Sequence, residues 1–300
     1  MTACYNYNPA PPTTKLPTSD CKPIKHSLGD SCIPREPKRL IVTDRILLEA
    51  AIALGVKPIA AAEPNLVGSQ GQQFTGKIEG IVSIGKESLL NLERIVKLQP
   101  DLIVGAGIYA ENYNILSQIA PTVPFDYLPS TWRDNLLYMG ELLGKTERAE
   151  QILAQYQERV EKLQTAIEQK RKSIEVSVSR FYAAGQPDFQ TQYSFSGSVL
   201  ADVGLTKPAV QRRLAGSAEQ LVVVSLERLD LLDADVMFVA LDPGAEESFQ
   251  KYQKSQLWQL LDVVKKNRVF TVDSGYWIFG NVLSANAILD DLNRYLLAQE

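Results

Sequence analysis

The chain has 300 residues, of which 45% are hydrophobic, and its mean hydropathy is slightly negative. This composition is typical of a globular protein long enough for two domains. A net charge of −4 argues against nucleic-acid binding, because that affinity depends on neutralising phosphates. The single histidine, His26, lies near the N-terminus, so a histidine-based triad or a multi-histidine metal site is excluded from the rest of the chain.

Residues 1–20 are rich in Pro, Thr, Asn and Ser and contain few apolar side chains, which is typical of a disordered tether. In this segment a small residue, Ala3, precedes Cys4. That arrangement is typical of the start of a mature bacterial lipoprotein, so we expect Cys4 to be lipidated; the alternative is an ordinary free thiol. We expect no spanning helix, since no apolar run approaches roughly 20 residues.

The other two cysteines, Cys21 and Cys32, bracket a segment that contains the turn signal Leu28-Gly29-Asp30. Two extended arms joined by this turn would bring the cysteines opposite each other. We therefore expect a disulfide, and with it an oxidising compartment; the alternative is two buried thiols. His26 lies inside the segment, and we expect its role to be structural.

A first α/β lobe is predicted over residues 21–143. Its strands are predicted at residues 39–43, 57–62, 81–83, 101–104 and 122–127. Its helices are predicted at residues 45–54, 87–98, 111–119 and 131–143, with a Gly-, Gln- and Asn-rich loop at residues 63–80. Because the strands alternate with helices over short connections, the pattern predicts a parallel sheet with helices on both faces.

A long amphipathic helix is predicted from Lys145 to Lys172. Thr146 is a suitable N-cap, and Glu147 and Glu150 place negative charge in the first turn, where the helix dipole favours it. Apolar side chains recur at steps of three and four along one face. Since neither Gly nor Pro interrupts the pattern, we expect one rigid helix of about 24 residues, roughly 36 Å long.

A second lobe is predicted over residues 173–300. Its strands are predicted at residues 174–182, near 209, at 236–240 and at 268–272. Its helices are predicted at residues 196–203, 225–232, 247–258 and 283–298. The expected organisation is therefore a tether over residues 1–20, a lobe over 21–143, a linking helix over 144–172 and a second lobe over 173–300.

The two lobes share an internal repeat. Asn91–Val104 aligns without a gap with Ser225–Phe238, at an offset of 134 residues. Both segments contain Leu-Glu-Arg, a later Leu and an Asp, and both then run into an apolar strand. Such a repeat indicates two similar lobes on either side of the long helix. It also places Glu93 and Glu227 at equivalent positions.

Four short motifs have a characteristic order and spacing along the chain. They comprise His26 and Gly29; Ile33, Pro34, Pro37 and Arg39; Glu49, Leu54, Gly55, Val56 and Pro58; and Leu92, Glu93, Ile95, Leu98, Pro100 and Asp101. Over roughly residues 21–298 the chain resembles the periplasmic iron–siderophore binding proteins of ABC importers. The resemblance implies an α/β fold of two Rossmann-like lobes joined by one rigid helix, with the ligand in the cleft between them and only a small hinge motion.

The resemblance also implies a function without catalysis. The chain would capture a ferric siderophore and deliver it to the permease dimer of an ABC importer. It would do so as a monomer, in the periplasm or on the outer face of the cytoplasmic membrane. The resemblance implies that Glu93 and Glu227 dock onto the two permease subunits; the alternative is ordinary helix-face charge beside Arg94 and Arg228. Since iron would arrive already chelated, no cofactor and no protein ligand to the metal is required.

Candidate ligand contacts follow the predicted strands, because open α/β sheets bind ligands beyond the carboxyl ends of their strands. These candidates are Arg45, Tyr109, Trp132 and Arg133 in the first lobe and Tyr182, Gln186, Arg212, Arg213, Tyr276 and Trp277 in the second. Arginine charge and aromatic faces suit ferric catecholate and citrate-type complexes, although each arginine could instead form a surface ion pair. Glu111, Asp242 and Glu246 are expected at the rim or in solvent.

Two alternatives to a siderophore remain. Gly105, Gly107 and Ala110 match G-x-G-x-x-A after a predicted strand, and Asp126 lies at the end of the next one, as an NAD(P)-binding enzyme would require. That strand is the fourth of its lobe rather than the first, which weakens this alternative. Within the family that the chain resembles, cobalamin and haem carriers share the fold. The absence of His from the lobes disfavours haem but leaves Tyr as an axial ligand.

Overall fold

The structure, a computed structural model, describes residues 21–63, 74–108, 110–125, 132–170 and 174–297. The predicted tether with Cys4 lies outside the described residues, as do Tyr109 and Asp126.

An antiparallel hairpin opens the described chain. It consists of β1 (Cys21–His26) and β2 (Gly29–Pro34). A disulfide joins Cys21 to Cys32 with their Cα atoms 5.4 Å apart, which confirms the predicted pairing. Nε2 of His26 lies 3.0 Å from Oγ of Ser31, and that hydroxyl donates to the carbonyl of Thr122 at 2.7 Å. His26 thus helps to tie the hairpin to the first sheet, in agreement with its expected structural role.

The first lobe is built on a six-stranded sheet. Its strands are β3 (Leu40–Val42), β4 (Ala60–Glu63), β5 (Val82–Lys86), β6 (Leu89–Leu90), β7 (Leu102–Ala106) and β8 (Thr122–Phe125). Their spatial order is β6-β5-β4-β3-β7-β8, and every neighbouring pair is parallel except β5 with β6. The predicted parallel sheet is confirmed, whereas β6 lies inside the segment predicted as helix 87–98.

Four helices complete this lobe. They are α1 (Arg45–Ala53), α2 (Leu92–Leu98), α3 (Ala110–Ile119) and α4 (Trp132–Leu142). Helix α1 begins after Asp44, whose carboxylate accepts a hydrogen bond from the backbone N–H of Leu47 at 2.9 Å. Helix α2 begins after Asn91, which accepts from the N–H of Arg94 at 3.0 Å. These side-chain caps satisfy backbone donors that would otherwise be unpaired at the helix starts.

The predicted linking helix is confirmed as α5 (Thr146–Lys170). Its apolar face is buried along its whole length, through Ala149, Ile152, Tyr156, Val160, Leu163 and Ile167. The helix therefore belongs to the core. No helix in the described ranges has an apolar segment long enough to cross a bilayer.

The second lobe is built on a five-stranded mixed sheet. Its strands are β9 (Val176–Phe181), β10 (Asp188–Gln190), β11 (Leu221–Val223), β12 (Val236–Leu241) and β13 (Val269–Asp273). Their spatial order is β11-β10-β9-β12-β13. Strands β9, β12 and β13 are parallel, whereas β10 is antiparallel to both of its neighbours. The expectation of a purely parallel sheet is therefore wrong on the β10–β11 side.

Several helices surround this sheet. They are α6 (Phe195–Asp202), α7 (Ala209–Leu214), a 3-10 helix (Leu226–Leu232), α8 (Glu246–Gln253), α9 (Gln256–Leu260), α10 (Asp262–Lys265), α11 (Ser274–Trp277) and α12 (Val282–Leu292), which continues as a π-helical turn (Asn293–Leu297). The strand predicted near residue 209 is wrong, because α7 occupies that position. The helix predicted over residues 247–258 divides, because Ser255 accepts a hydrogen bond from the N–H of Trp258 and starts a new helix, α9.

The sequence repeat corresponds to a structural repeat. In the first lobe α2 leads into β7, and in the second the 3-10 helix leads into β12, with both helix starts and both strand starts offset by 134 residues. One large hydrophobic cluster runs through both lobes and includes the buried face of α5. Each lobe also has a smaller cluster of its own, around Ile103 in the first and around Phe181 in the second.

Candidate ligand-binding cleft

The carboxyl ends of the parallel strands form one edge of each sheet. In the first sheet, β3 leads to Arg45; in the second, β9 ends before Tyr182 and β13 ends at Asp273. The carboxylate of Asp273 acts electrostatically on the guanidinium of Arg45. The carboxyl-end edges of the two sheets are therefore neighbours, and the groups between them are candidate ligand contacts.

Arg45 is largely buried at the start of α1. Its backbone N–H donates to Oε1 of Glu87 at 2.9 Å, and its guanidinium lies over the ring of Phe74, 5.5 Å from the ring centroid. The buried Nε and Nη2 atoms make no hydrogen bond within the described residues. Burial lowers the pKa of this guanidinium, an effect opposed by Glu49, Asp273 and Glu87. An arginine nevertheless stays charged, so two of its donor atoms are available for an anion.

A cavity of about 490 Å³ lies beside Arg45. Its apolar walls come from Leu48, Ala61, Ala62, Phe74, Ile78, Ile81 and Val82, and its polar groups include Arg45, Glu63, Thr75 and Ser83. A volume of this size suits a small-molecule ligand. Among its described lining residues, Arg45 is the one cation and Glu63 and Glu79 are carboxylates, so an anionic group is favoured only on the side of Arg45.

Asp44 shapes the turn that carries Arg45. Its carboxylate accepts hydrogen bonds from the N–H of Leu47 at 2.9 Å and from the N–H of Ala106, at the end of β7, at 2.7 Å. The side chain is buried, and burial raises the pKa of Asp44 to about 7. Asp44 therefore fixes the position of α1, and with it Arg45, relative to two strand ends.

The glycine pattern of the NAD(P) alternative has a packing explanation. A Cβ atom at Gly105 would lie 1.7 Å from the hydroxyl oxygen of Thr43, so no larger residue fits where β7 passes Thr43. Gly107 has a φ of +67°, a left-handed conformation that glycine adopts without strain. These two glycines are thus accounted for without a bound nucleotide.

A buried ion pair forms part of the second lobe's wall. Arg180, near the end of β9, donates from Nε and Nη2 to the two carboxylate oxygens of Asp242 at 3.0 and 2.9 Å. The guanidinium also lies 4.7 Å from the ring centroid of Tyr182 and 5.6 Å from that of Phe279. The expectation that Asp242 is a rim charge is wrong, since the residue is only 7% exposed. Arg180 was not among the predicted contacts, because it lies inside a predicted strand.

Tyr182 follows the carboxyl end of β9, and Gln186 lies between β9 and β10; both stay predicted ligand contacts. The hydroxyl of Tyr182 donates to Oδ2 of Asp188 at 2.5 Å, and Gln190 donates to Oδ1 of the same carboxylate at 2.6 Å. Burial raises the pKa of both Asp188 and Tyr182. Gln186 is exposed in the turn between β9 and β10. This wall therefore offers an aromatic face and paired charges rather than a free cation.

Tyr276 and Trp277 are buried in the core rather than exposed to the cleft. Trp277 is fully buried and stacks on Phe238 with 4.5 Å between ring centroids. The hydroxyl of Tyr276 and the indole N–H of Trp277 both donate to Oδ2 of Asp291, at 2.7 and 2.8 Å. Because their polar atoms are already paired inside the protein, the structure contradicts their assignment as ligand contacts.

Trp132 and Arg133 lie where the lobes meet. Trp132 is fully buried, edge-on to Tyr156 and Phe195 with ring centroids 5.1 and 6.2 Å away. Arg133 forms an ion pair with Asp202 of α6 and lies over the Trp132 ring. The hydroxyl of Tyr156 donates to the same carboxylate at 2.6 Å. Trp132 is therefore a core residue, and Arg133 joins helices of the two lobes.

Arg212 and Arg213 lie on α7, away from the cleft edge. Arg212 donates to the carbonyl of Lys207 and pairs with the carboxylate of Glu175 at 3.4 Å. Glu175 precedes β9, so this ion pair marks the amino end of the strand, opposite to its carboxyl end. Arg213 is exposed on the same short helix. The rule of taking residues after each strand failed here because the predicted strand near 209 is a helix.

Glu93 and Glu227 occupy equivalent exposed positions. Helix α2 follows β6, which runs back along β5, and its cap residue Asn91 donates to the carbonyl of Ile84 in the middle of β5. The 3-10 helix follows β11, whose carboxyl end pairs with the amino end of β10. Both helices then lead to the next parallel strand of their sheets. Each glutamate lies in the first turn of its helix.

No group of three His, Cys, Asp or Glu side chains in the described ranges is placed to hold a metal ion. Among the candidates that the structure describes, Arg45, Tyr182 and Gln186 stay predicted ligand contacts. These residues combine a buried cation, an aromatic face and a polar turn.

Comparison with known proteins identifies relatives of this chain. The sequence model of a family described as "Periplasmic binding protein" matches residues 40–276. A Bacillus subtilis protein named "Probable siderophore-binding lipoprotein YfiY" is 30% identical over 99% of this chain and 94% of its own length. The Escherichia coli "Fe(3+) dicitrate-binding periplasmic protein FecB" is 30% identical over 85% of this chain and 83% of its own.

Solved structures show the same fold. The crystal structure of Staphylococcus aureus SirA complexed with staphyloferrin B superimposes with a TM-score of 0.80 and 30% identity, covering 92% of this chain and 98% of the other. Bacillus subtilis FeuA complexed with ferri-bacillibactin superimposes with a TM-score of 0.75 at 22% identity, covering 93% of this chain and 99% of the other, a likeness of fold alone.

Proposed function

The chain belongs to the periplasmic binding protein family, and on that premise we propose that it captures a ferric siderophore outside the cytoplasm and delivers it to the permease of an ABC importer. The single observation that supports this most is the buried guanidinium of Arg45 beside a cavity of about 490 Å³ in the first lobe. Two buried donor atoms that have no hydrogen-bond partner among the described residues are costly unless a ligand uses them.

The ligand is an anionic ferric complex that presents a carboxylate to Arg45. A guanidinium pairs best with a planar, bidentate anion, and carboxylate has that geometry. Relatives at 30% identity are named for ferric dicitrate or were crystallised with staphyloferrin B, which supports this class of ligand. Tyr182 and Gln186 contribute an aromatic face and hydrogen bonds from the opposite wall. Tyr109 remains a proposed contact.

Iron enters the cleft already chelated, so the protein binds the complex through its organic part. The chain has no catalytic role in this proposal. Glu93 and Glu227 present the loaded protein to two permease subunits. In support of this, the neighbouring arginines have partners on their own lobe: Arg94 donates to the carbonyl of Ser83 at 2.8 Å, and Arg228 pairs with Asp230 at 3.0 Å.

The proposed location is the periplasm or the outer face of the cytoplasmic membrane, with a lipid on Cys4 as the only attachment and a monomeric protein. Two Bacillus subtilis relatives are named as lipoproteins, which supports the lipid anchor. Mass spectrometry of the protein from its native membrane tests it: a diacylglyceryl-modified peptide containing Cys4 is expected, and an unmodified Cys4 peptide contradicts the anchor.

Tryptophan fluorescence titration tests the ligand proposal. The panel is ferric dicitrate, ferric staphyloferrin B, ferri-bacillibactin, a ferric hydroxamate, haem, cobalamin, NADH and uncomplexed ferric iron. Saturable quenching by a carboxylate-type ferric complex, and no response to uncomplexed iron, is expected. A response to haem, cobalamin or NADH alone contradicts the siderophore proposal and identifies the alternative ligand.

A further inference from the structure

The chain enters the fold beside a group of basic side chains. Cys21, at the start of β1, pairs with Pro34 at the end of β2, so the entry point lies next to Arg35. A Cβ atom on Gly144 would lie 3.5 Å from the carbonyl oxygen of Arg35. This contact brings Lys145, which directly precedes α5, to the same side of the molecule.

Further charges come from the amino ends of β3 and β7. Arg39 directly precedes β3, and its guanidinium donates to the carbonyl of Leu98 at the end of α2, whose last turn contains Lys97. Asp101 directly precedes β7 and accepts hydrogen bonds from the backbone N–H groups of Lys38 and Arg39 at 2.7 and 2.9 Å. We define the exit face by its charged residues, which are Lys22, Arg35, Glu36, Lys38, Arg39, Lys97, Asp101, Glu141 and Lys145.

The three carboxylates of the exit face are already satisfied within the protein. Glu36 pairs with Lys38 at 3.0 Å, and Glu141 pairs with Lys22 at 2.6 Å. Asp101 accepts the two backbone hydrogen bonds described above. The carboxylates therefore neutralise only part of the six cations around them.

The remaining cations give the exit face an excess of positive charge. In the described ranges, no hydrogen bond or ion pair is made by the exposed side chains of Arg35, Lys97 and Lys145. Two neighbouring pairs of opposite sign add no net charge: Glu147 with Arg148, and Lys57 with Glu79. Since the whole chain has a net charge of −4, this face opposes the sign of the rest of the molecule.

The position of the exit face restricts the choice of partner. Cys4 precedes Cys21 by 17 residues, a length of chain that spans at most about 60 Å when fully extended. A lipid on Cys4 would hold the exit face within that distance of a bilayer, at a high local concentration. Anionic headgroups attract clustered Lys and Arg side chains over roughly one Debye length. A second copy of this face has the same sign and is not complementary.

We propose that the exit face contacts the anionic phospholipid headgroups of the membrane that anchors the chain. The proposal rests on the proposed lipid at Cys4, which remains the attachment; the exit face determines which side of the fold meets the bilayer. This face lies at the amino ends of strands in the first sheet, whereas Arg45 follows the carboxyl end of β3. Contact with headgroups therefore leaves the cleft open to its ligand.

Vesicle sedimentation of the unlipidated full chain with Cys4→Ser tests the exit face without the anchor. The probes are vesicles of phosphatidylglycerol, which is anionic, and of phosphatidylcholine, which is zwitterionic. At low ionic strength we expect binding to phosphatidylglycerol alone, and its loss at about 0.5 M salt, because exposed charges are then screened. Arg35→Gln with Lys145→Gln should weaken partitioning by about tenfold or more, since each basic residue near an anionic surface contributes roughly fivefold.

Lys254→Gln with Lys266→Gln is the matched control, because it removes the same charge from exposed helix ends of the second lobe. It should partition like the parent chain. Equal weakening in both double variants overturns the proposal, since overall charge would then decide. So does equal binding to both kinds of vesicle, or binding to neither. Displacement by millimolar glycerol phosphate also overturns it, because that would indicate a discrete phosphate site rather than a bilayer surface.

Siderophore affinity, measured by fluorescence, should be the same with and without phosphatidylglycerol vesicles. A loss of affinity on the vesicles would mean that headgroups cover the cleft, which contradicts the proposed orientation. The proposed anchor and ligand fail independently of this result. An unmodified Cys4 from the native membrane would refute the anchor, and absence of ferric siderophore binding would refute the ligand, while vesicle binding through the exit face would stand in both cases.

Discussion

At the scale of single residues, the two buried arginines of the cleft differ in how their charge is satisfied. Arg180 donates two hydrogen bonds to Asp242, so its charge is neutralised within the protein. Arg45 has carboxylates nearby, but its buried Nε and Nη2 atoms have no hydrogen-bond partner in the described chain. Burying a charge without full hydrogen bonding costs stability. Arg45 is therefore the residue whose role depends most on a ligand.

Replacement of Arg45 by Met should separate binding from stability. We expect Arg45→Met to weaken binding of a carboxylate-type ferric complex by about tenfold or more, because a charge-assisted hydrogen bond contributes roughly 1.5 to 3 kcal/mol. The melting temperature should stay the same or rise, since the variant removes a desolvated charge. Fluorescence titration and thermal unfolding check the two effects.

Arg212→Met is the control for Arg45→Met, because it removes the same charge at the amino end of β9 in the second sheet, away from the cleft. Its siderophore affinity should equal that of wild type. Equal loss of affinity in both variants would mean that Arg45 acts only through the overall charge. A large loss of stability in Arg45→Met alone would mean that the side chain is structural.

The pH dependence of stability should report on Asp44. Burial raises the pKa of Asp44 to about 7, whereas an aspartate side chain in the unfolded chain has a pKa near 4. Between pH 4 and pH 7 the folded state holds a proton on Asp44 that the unfolded state has released. The contribution of Asp44 to the free energy of unfolding therefore falls as the pH rises from 4 to 7. Above pH 7 this contribution is constant. The free energy of unfolding should change through Asp44 by at most about 1.4 kcal/mol per pH unit.

Asp44→Asn should remove this slope. The variant also loses one of two backbone hydrogen bonds, but that loss does not depend on pH. The measurement is the free energy of unfolding by urea at several pH values, with Asp134→Asn as the control, since Asp134 is exposed in the first turn of α4. If wild type and Asp44→Asn differ by a constant amount from pH 4 to 8, the carboxyl of Asp44 is ionised throughout that range.

At the scale of secondary-structure elements, Glu49, a buried residue of the first lobe, caps α12, a helix of the second lobe. Glu49 of α1 accepts hydrogen bonds from the backbone N–H groups of Asn281 and Ser284 at 2.8 and 2.7 Å, and from the Ser284 hydroxyl at 2.6 Å. These donors lie at the N-terminus of α12, where a negative charge is favoured by the helix dipole. Glu49 therefore fixes α12 against α1.

Removal of this cap should be strongly destabilising. We expect Glu49→Ala to lower the free energy of unfolding by about 2 to 4 kcal/mol, because three donors lose their acceptor in a site without water access. The melting temperature should fall by roughly 5 °C or more. Glu150→Ala, at an exposed position of α5, should change it by less than about 1 °C. Similar small effects in both variants would show that α12 is held by apolar packing alone.

Elements with long periodic patterns were predictable from the sequence, and short ones were not. The buried stripe of α5 follows from the regular spacing of its apolar residues, and the strands β3, β7 and β12 follow from runs of consecutive apolar residues. Strands β10 and β11 have three residues each and pair antiparallel, and β10 has polar residues at both ends, Asp188 and Gln190, so it lacks the apolar run that marks β3. The C-lobe sheet was therefore predicted as parallel, and α7 was taken for a strand.

The candidate site was predictable only in part, for a related reason. Arg45 and Tyr182 directly follow strands that the pattern located well. Tyr276 and Trp277 also follow a strand, but Asp291, which accepts their hydrogen bonds, lies on α12 and turns both rings into the core. Such a long-range partner leaves no local signal. Arg180 was not predicted, because the sequence around a charged residue inside an apolar strand does not show whether its side chain lies in the cleft or at the edge of the sheet.

At the scale of the whole molecule, the lobes are joined by more than the linking helix. A single hydrophobic cluster contains the buried face of α5 and side chains from both lobes, such as Trp132 and Phe195. The ion pair between Arg133 and Asp202 and the cap from Glu49 to α12 cross the same junction. Opening the cleft widely would break this packing. We therefore expect ligand binding to cause only a small closure.

A shared core also predicts how the protein unfolds. In differential scanning calorimetry we expect one transition for both lobes. Phe195→Ala, in the shared cluster, should lower its stability by about 3 to 5 kcal/mol, and Val239→Ala, in the second lobe's own cluster, by a smaller amount. In both variants the single peak should move as a whole, because loss of either lobe exposes the common core. Two peaks, of which Val239→Ala shifts only one, would mean that the lobes are independent units and that the junction adds little to their stability.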